Sequence, residues 1–348
     1  MREIDFVMPW VDGEDIEWQA QKKHYAAMDT VISQGDANSD SRYCDWGLLR
    51  YWFRSIERFA PWVNKVFFVT CGQKPEWLDE SHPKLRLVNH RDYIPSDYLP
   101  TFNSNTIELN LHRIDDLSEH FVLFNDDVFL LQPVEPEFFF RDGYPVLPCE
   151  LGIPYKIGYS NISRVAVNNC GILRISKDVE RLVWKNWRKL FNIRQLGINR
   201  ALKNFLAFLV NRIIIPGNFG HMTHAHLKST FEEIWKKQPV IMDRVSRHKF
   251  RHDDCVNHYL ASAWNMVEGH FFPVNEKDRG HFMSICCDSD EFVGKLVISQ
   301  SYPLICINDD GVTDGTFEQW SVGMRKAFHE ILPDKSEFEK FDVKEGEF

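Results

Sequence analysis

Phe121-Val122-Leu123-Phe124-Asn125-Asp126-Asp127-Val128 is an apolar run that stops on two adjacent carboxylates. Consecutive apolar side chains bounded by polar ones read as a strand buried on both faces. Three other segments have the same form. Ile4 to Trp10 runs into Val11-Asp12-Gly13, Lys65 to Thr70 stops at Cys71-Gly72, and Leu85 to Val88 runs into Asn89-His90-Arg91-Asp92. Helical spacing fills the intervals, from Asp45 to Ala60, which Pro61 ends, and from Ile107 to Leu117. Strands alternating with helices of this length predict an α/β fold, a Rossmann-like, mostly parallel sheet flanked by helices. Such sheets bind ligands outside the carboxyl ends of their strands, where Asp12, Asn89, Asp126 and Asp127 all fall.

The chain has 348 residues and reads as one catalytic unit. Residues 1–140 form the N-terminal part of the core. Residues 141–220, punctuated by Pro145, Pro148 and Pro154, read as a mainly helical inserted lobe, and 221–348 as the rest of the core with a C-terminal helix. The basic and apolar stretch from Trp184 to Ile215 reads as two helices. It is either a core helix pair with a basic outer face or a surface that leans on a membrane or an acceptor. Leu296–Ser299 and Leu304–Ile307 look strand-like, and Thr316 to Leu332 reads as an amphipathic helix.

Composition narrows the function. Hydrophobic residues at 44% and charged residues at 26% exclude a disordered chain, and the net charge of -9 argues against a nucleic-acid partner. The aromatic content of 14% suits a packed core or sugar stacking. Eight cysteines without a CxxC ladder indicate reduced, buried thiols. The first strand follows Met1 almost at once and no apolar run is long enough to span a bilayer, so the expected location is the cytoplasm.

Two carboxylates at a buried strand end need a cation or a hydrogen-bonded turn. Asp126 and Asp127 therefore read as ligands of Mg²⁺ or Mn²⁺ bridging to a diphosphate, or as a turn cap. Upstream, Leu99 to Glu108 looks like a loop entering a helix. Ser104 and Glu108 share a face and could reach an anionic ligand, or serve as an N-cap serine with an early glutamate. His221, His224 and His226 are followed by Arg247-His248-Lys249-Phe250-Arg251-His252-Asp253-Asp254. Neighbouring Arg and Lys disfavour a zinc site, so Arg251 reads as a phosphate fork and one His as a general base. Surface histidines and a tight turn at Asp310-Gly311 remain the plain alternatives. Ile307-Asn308-Asp309-Asp310 repeats the strand-then-carboxylate pattern.

Four blocks in order resemble the Stealth family, which includes bacterial capsular polysaccharide phosphotransferases and the catalytic subunit of the lysosomal-targeting N-acetylglucosamine-1-phosphotransferase. They are Ile4–Gly13, about 42 to 140 with LPTFNSNTIE, LHRI and FNDDVF, the Asn168-Asn169 region with HMTH and Lys249–His252, and Cys306–Asp309. The resemblance implies a UDP-sugar donor, Mg²⁺ or Mn²⁺, and an oligo- or polysaccharide acceptor whose hydroxyl attacks the β-phosphorus, releasing UMP and forming a phosphodiester. It assigns His224, Asp127 and Arg251 to catalysis. Asp12, Ser104, Asn105, Glu108, Asn125 and Arg251 go to substrate binding, and Asp126, Asp127 and Asp309 to metal. Capsule synthesis at the inner face of the cytoplasmic membrane, with peripheral association to that membrane or to export machinery, is the corresponding setting. A metal-dependent glycosyltransferase releasing UDP is the competing enzyme reading, and a carbohydrate- or membrane-binding protein the non-enzymatic one.

Overall fold

The computed structural model describes residues 2–30, 43, 46–151, 161–211, 222–285, 290–308 and 314–340. The first half alternates as expected: β1 (Ile4–Pro9), α1 (Ile16–Met28), α2 (Leu49–Phe59), β2 (Val66–Thr70), β3 (Leu85–Asn89), α3 (His90–Tyr93), α4 (Ser104–Leu109) and β4 (His120–Leu123). Short strands follow, β5 (Val128–Leu130), β6 (Phe140–Arg141) and β7 (Tyr144–Pro148). Helices then dominate: α5 (Asn161–Ser176), α6 (Val179–Lys185), α7 (Trp187–Leu190), α8 (Ile193–Leu196) and α9 (Ile198–Asn211). The chain returns through β8 (His224–Leu227), α10 (Lys228–Lys237), α11 (Pro239–Ser246), α12 (Tyr259–Glu268), β9 (Phe272–Val274), β10 (His281–Ser284), α13 (Asp290–Ser299), β11 (Leu304–Asn308) and α14 (Asp314–Ile331).

The central sheet has five strands in the order β3-β2-β1-β4-β8. Its first four strands are parallel, and β8 closes the edge antiparallel to β4. Burial on both faces explains the unbroken apolar strands, because each alternate side chain enters a different core. Phe6, Met8, Val122 and Phe124 enter one, shared with α2 and α14. Val7, Phe121 and Leu123 enter the other, shared with α12. A second sheet, β10-β11-β5, pairs β11 antiparallel with β5, Cys306 opposite Val128. This pairing sets the C-terminal strand end beside the Asn125-Asp126-Asp127 turn.

Several sequence expectations shift. The Ile107–Leu117 pattern is a helix only to Leu109, followed by a single 3₁₀ turn at Leu111–Arg113. Leu296–Ser299 is the end of a helix packed on α14, not a strand. The stretch from Trp184 is broken into short helices, with a break at Gly197, whose φ of 76° ends α8. Its last residues, 212–215, lie outside the described residues. Asn89 caps α3 through Arg91 N and Asp92, which accounts for its place at a strand end.

The C-terminal segment is fastened to α2 by a buried pair. Arg54 meets both oxygens of Glu339, Nε at 2.7 Å and Nη2 at 3.0 Å, and also donates to the Leu332 carbonyl. Both side chains are almost wholly buried, at 2% and 0% exposure.

Candidate active site

The loop before α4 and the loop after α11 are laced together. Phe102 N donates to Lys249 O at 2.8 Å, and the Asn103 amide donates to Phe250 O at 3.2 Å. Asn103 also caps α4 by accepting from Asn105 N. A single asparagine thereby starts the helix that carries Ser104 and Glu108 and holds the backbone beside Arg251. On the far side, Asn168 of α5 donates to the carbonyls of Asp253 and Cys255, and Asn169 donates to Asn257. Asn105 is buried in the same knot, hydrogen-bonded to Cys255.

Arg251 Nη2 donates to Ser104 Oγ at 2.7 Å. Glu108 lies beneath, where burial pushes its carboxyl up to about 7, against the opposing pull of Arg251 and of the Ser104 hydroxyl. The helix is six residues long, so the fixed charge of Arg251, more than a helix end, makes this corner attractive to phosphate.

Behind Glu108 stands a group of buried histidines. His258 Nε2 is 3.9 Å from Glu108 Oε2, and His258 Nδ1 is 3.0 Å from His226 Nε2. Burial holds the His226 imidazole down to about 3, hence neutral. His224 follows the same face of β8 two residues earlier. Its ring centroid lies 4.8 Å from His258 and 4.7 Å from Tyr259, and its backbone is in register with Leu123.

Tyr259 links this group to the strand-end carboxylates. Burial raises its phenol, and the charges of Glu108, Cys306 and Asp127 raise it further, against Arg251. Asp127 accepts from the Cys306 thiol at 3.3 Å, and Ile307 N donates to Asp127 O at 2.9 Å. Asn308 follows, buried, at the end of β11.

The structure therefore brings together Ser104, Asn105, Glu108, His224 and Arg251, with Asp127 beside Tyr259. Asn125 forms the turn whose carbonyl accepts from Val128 N, and Asp126 is exposed on it. Asp12 lies at the end of β1, where its carboxylate accepts from Glu14 N and its backbone pairs with Gln73. Asp309 and His221 lie outside the described residues. His258, Tyr259, Cys306 and Asn103 were not singled out from sequence. Asn103 and Cys306 fall inside two of the blocks that carry the family resemblance, LPTFNSNTIE and Cys306–Asp309, which assigns them no role.

Asp126 and Asp127 lie on the turn between β4 and β5, and the pairing of β11 with β5 brings Asn308 toward that turn; carboxylate oxygens are the donors that hard cations such as Mg²⁺ or Mn²⁺ take. A different set, His248, His252 and Asp254, brings ligand atoms within 4.8 Å of one another. Its members also face charged neighbours: His248 lies 2.9 Å from Asp254, His252 2.8 Å from Asp29, and Arg244 3.2 Å from Asp254.

Residues 42–146, from the loop before α2 to within β7, match the Stealth protein CR2, conserved region 2 family model. The capsular polysaccharide phosphotransferase WcwK of Streptococcus pneumoniae is 40% identical over 97% of this chain and 99% of its own. The chain belongs to the Stealth family. Other Stealth relatives include the receptor polysaccharide phosphotransferase WefC of Streptococcus oralis, 40% identical over 97% of this chain and all (100%) of that one. The exopolysaccharide phosphotransferase cps2G of Lactiplantibacillus plantarum is 32% identical over 97% and 96%. Among solved structures, the galactosyltransferase LgtC with donor and acceptor sugar analogs aligns with a TM-score of 0.39 at 10% identity, covering 92% of this Stealth chain and 95% of that one.

Proposed function

We propose that this Stealth protein is a sugar-1-phosphate transferase of capsular polysaccharide synthesis. It moves hexose- or N-acetylhexosamine-1-phosphate from a UDP-sugar to a carbohydrate hydroxyl, forming a phosphodiester and releasing UMP. Near-full-length relatives named as polysaccharide phosphotransferases support the reaction class. The observation that carries the reading is the juxtaposition of the Arg251–Ser104–Glu108 corner with the His224 and Asp127 groups around Tyr259.

In this reading Arg251 and Ser104 bind the phosphate that is attacked, and Arg251 carries the charge that grows on its oxygens. His224 takes the proton from the acceptor hydroxyl. Glu108 and His258 hold the relay beside it, and neutral His226 fixes the ring of His258 by accepting or donating along their shared hydrogen bond. Asp126, Asp127 and Asp309 would hold Mg²⁺ or Mn²⁺, which neutralises charge on the leaving nucleotide when bound. Asp12 and Asn125 line the donor side at the carboxyl ends of β1 and β4. The anomeric C–O bond stays intact. A UDP-sugar donor sets the enzyme in the cytoplasm.

Product analysis tests the reading. Purified protein is incubated with a UDP-sugar, Mg²⁺ or Mn²⁺ and an oligosaccharide acceptor, and UMP is resolved from UDP. UMP with a new phosphodiester ³¹P signal is expected. UDP with a glycosidic product would make this a conventional glycosyltransferase. Full turnover in EDTA without added metal would remove the metal from the scheme.

A further inference from the structure

The exposed large apolar side chains are not scattered. Of 15 among the described residues, eight fall between Ile175 and Val210. On α9 they recur every fourth residue: Ile198 is 69% exposed, Leu202 54%, Leu206 51% and Val210 70%. Four-residue spacing puts them on one face. The opposite face, with Ala201, Asn204, Ala207 and Phe208, is buried. Trp184 packs edge-on against Phe205 and Phe208 yet stays 42% exposed, which extends the apolar surface across α6. The outer face of this lobe is thus apolar with a basic surround, not basic alone as the sequence pattern suggested.

Charge decides what covers it. Between Val179 and Asn211 there are seven Lys or Arg and one Asp or Glu, in a chain whose net charge is -9. Lys185, Arg188, Arg194 and Lys203 are exposed around the apolar stripe. A second copy of this face would set like charges against each other. No described helix is long and apolar enough to cross a membrane. An apolar stripe with tryptophans and a basic collar matches the boundary between headgroups and acyl chains of an anionic bilayer.

The geometry points to α6 and α9 as a docking face for an anionic phospholipid bilayer, with α9 lying in the membrane plane. This goes beyond the chemistry of the active site and does not rest on it. The face is rigidly tied to the core: Asn204 donates to Cys149 O at 2.8 Å and to Leu190 O at 3.2 Å, and accepts from Leu151 N at 3.0 Å. Docking therefore fixes the orientation of the whole enzyme to the bilayer.

The test is co-sedimentation of the full chain with phosphatidylcholine vesicles, pure or containing about a third phosphatidylglycerol. Binding to the anionic vesicles alone, weakened by salt, is expected. Leu202→Glu with Leu206→Glu should lower the affinity at least about 10-fold, since it removes two apolar side chains from the middle of the stripe and adds two negative charges. Lys185→Glu with Lys203→Glu leaves the apolar packing intact and should also lower it at least about 10-fold, through lost attraction to the anionic headgroups. The lysine pair decides the matter if the leucine pair misfolds by thermal denaturation. Equal binding to neutral vesicles, no binding to either, or wild-type binding by both variants would overturn the proposal. So would a dimer that the leucine changes split, without any vesicle binding.

Discussion

Two arginines each approach a buried glutamate, and the outcomes are opposite. Arg54 grips Glu339 with two parallel hydrogen bonds, away from solvent, and fastens the C-terminal segment to α2. Arg251 donates to Ser104 at 2.7 Å, and burial pushes the Glu108 carboxyl up to about 7 against the pull of Arg251 and of the Ser104 hydroxyl. The first pair is closed: every strong donor is answered within the chain. The second holds a fixed positive charge beside a carboxyl that binds its proton near neutrality. Buried ion pairs of the first kind lock chain segments. Sites of the second kind cluster where chemistry occurs.

The largest expected effect tests the closed pair. Glu339→Ala leaves the Arg54 guanidinium buried and unpaired, which costs about 3–5 kcal/mol. Urea denaturation should show that loss, while the folded fraction keeps its turnover number. An unchanged midpoint would erase the contrast between the two regions.

Arg251→Ala should do the reverse. Its expected cost is about 10²- to 10³-fold in kcat, or roughly 2.7–4 kcal/mol, as for removal of a preorganised charge donor. Denaturation midpoints should move little. A fully active variant would reduce Arg251 to a structural residue like Arg54.

Glu108 gives a third test through pH. Its folded pKa of about 7 lies above the ordinary 4.5, so the folded state holds its proton more tightly. The associated stability is present at low pH and is lost as pH rises from the unfolded to the folded value. Glu108→Gln should therefore stabilise the protein at pH 8, by up to about 3 kcal/mol, and not at pH 4. It should also flatten the limb of the pH–rate profile near neutrality. Equal unfolding curves for wild type and variant at both pH values would show that the carboxyl is not strained.

His226 sharpens the comparison with the opposite sign. Burial depresses it to about 3 from 6.5, so its stability contribution is present above the unfolded value and is lost as pH falls below it. At pH 5 that loss is about 2 kcal/mol, and His226→Gln should remove it. Unfolding titrations between pH 7 and 5 would read the difference.

Much of this was legible in the sequence. Strands buried on both faces announce themselves as short apolar runs, and the polar residues that stop them fall at strand ends. That logic found β1 to β4, β11 and Asp127. It failed at Leu296–Ser299, where three apolar residues and a serine cannot distinguish a strand from a helix end; packing on α14 decided for the helix. Asn89 does end β3, as its place after the apolar run says, and the structure adds that it caps α3. His258 and Tyr259 begin an ordinary-looking helix, and only the fold puts them between Glu108 and His224. Cys306 read as a buried thiol, which it is. Its partner Asp127 became visible only when β11 paired with β5.

The edge position of β8 has one more consequence. His224 and His226 share a face because they are two apart on a strand whose register against β4 pairs Leu123 with His224 and Phe121 with His226. A slip of one residue would carry both imidazoles to the opposite face of the sheet, where Ala225 now packs. Neither ring can be misplaced alone by such an error. Assembly of this histidine pair is therefore all-or-none: a misregistered chain loses the contacts of His224 with Tyr259 and of His226 with His258 together.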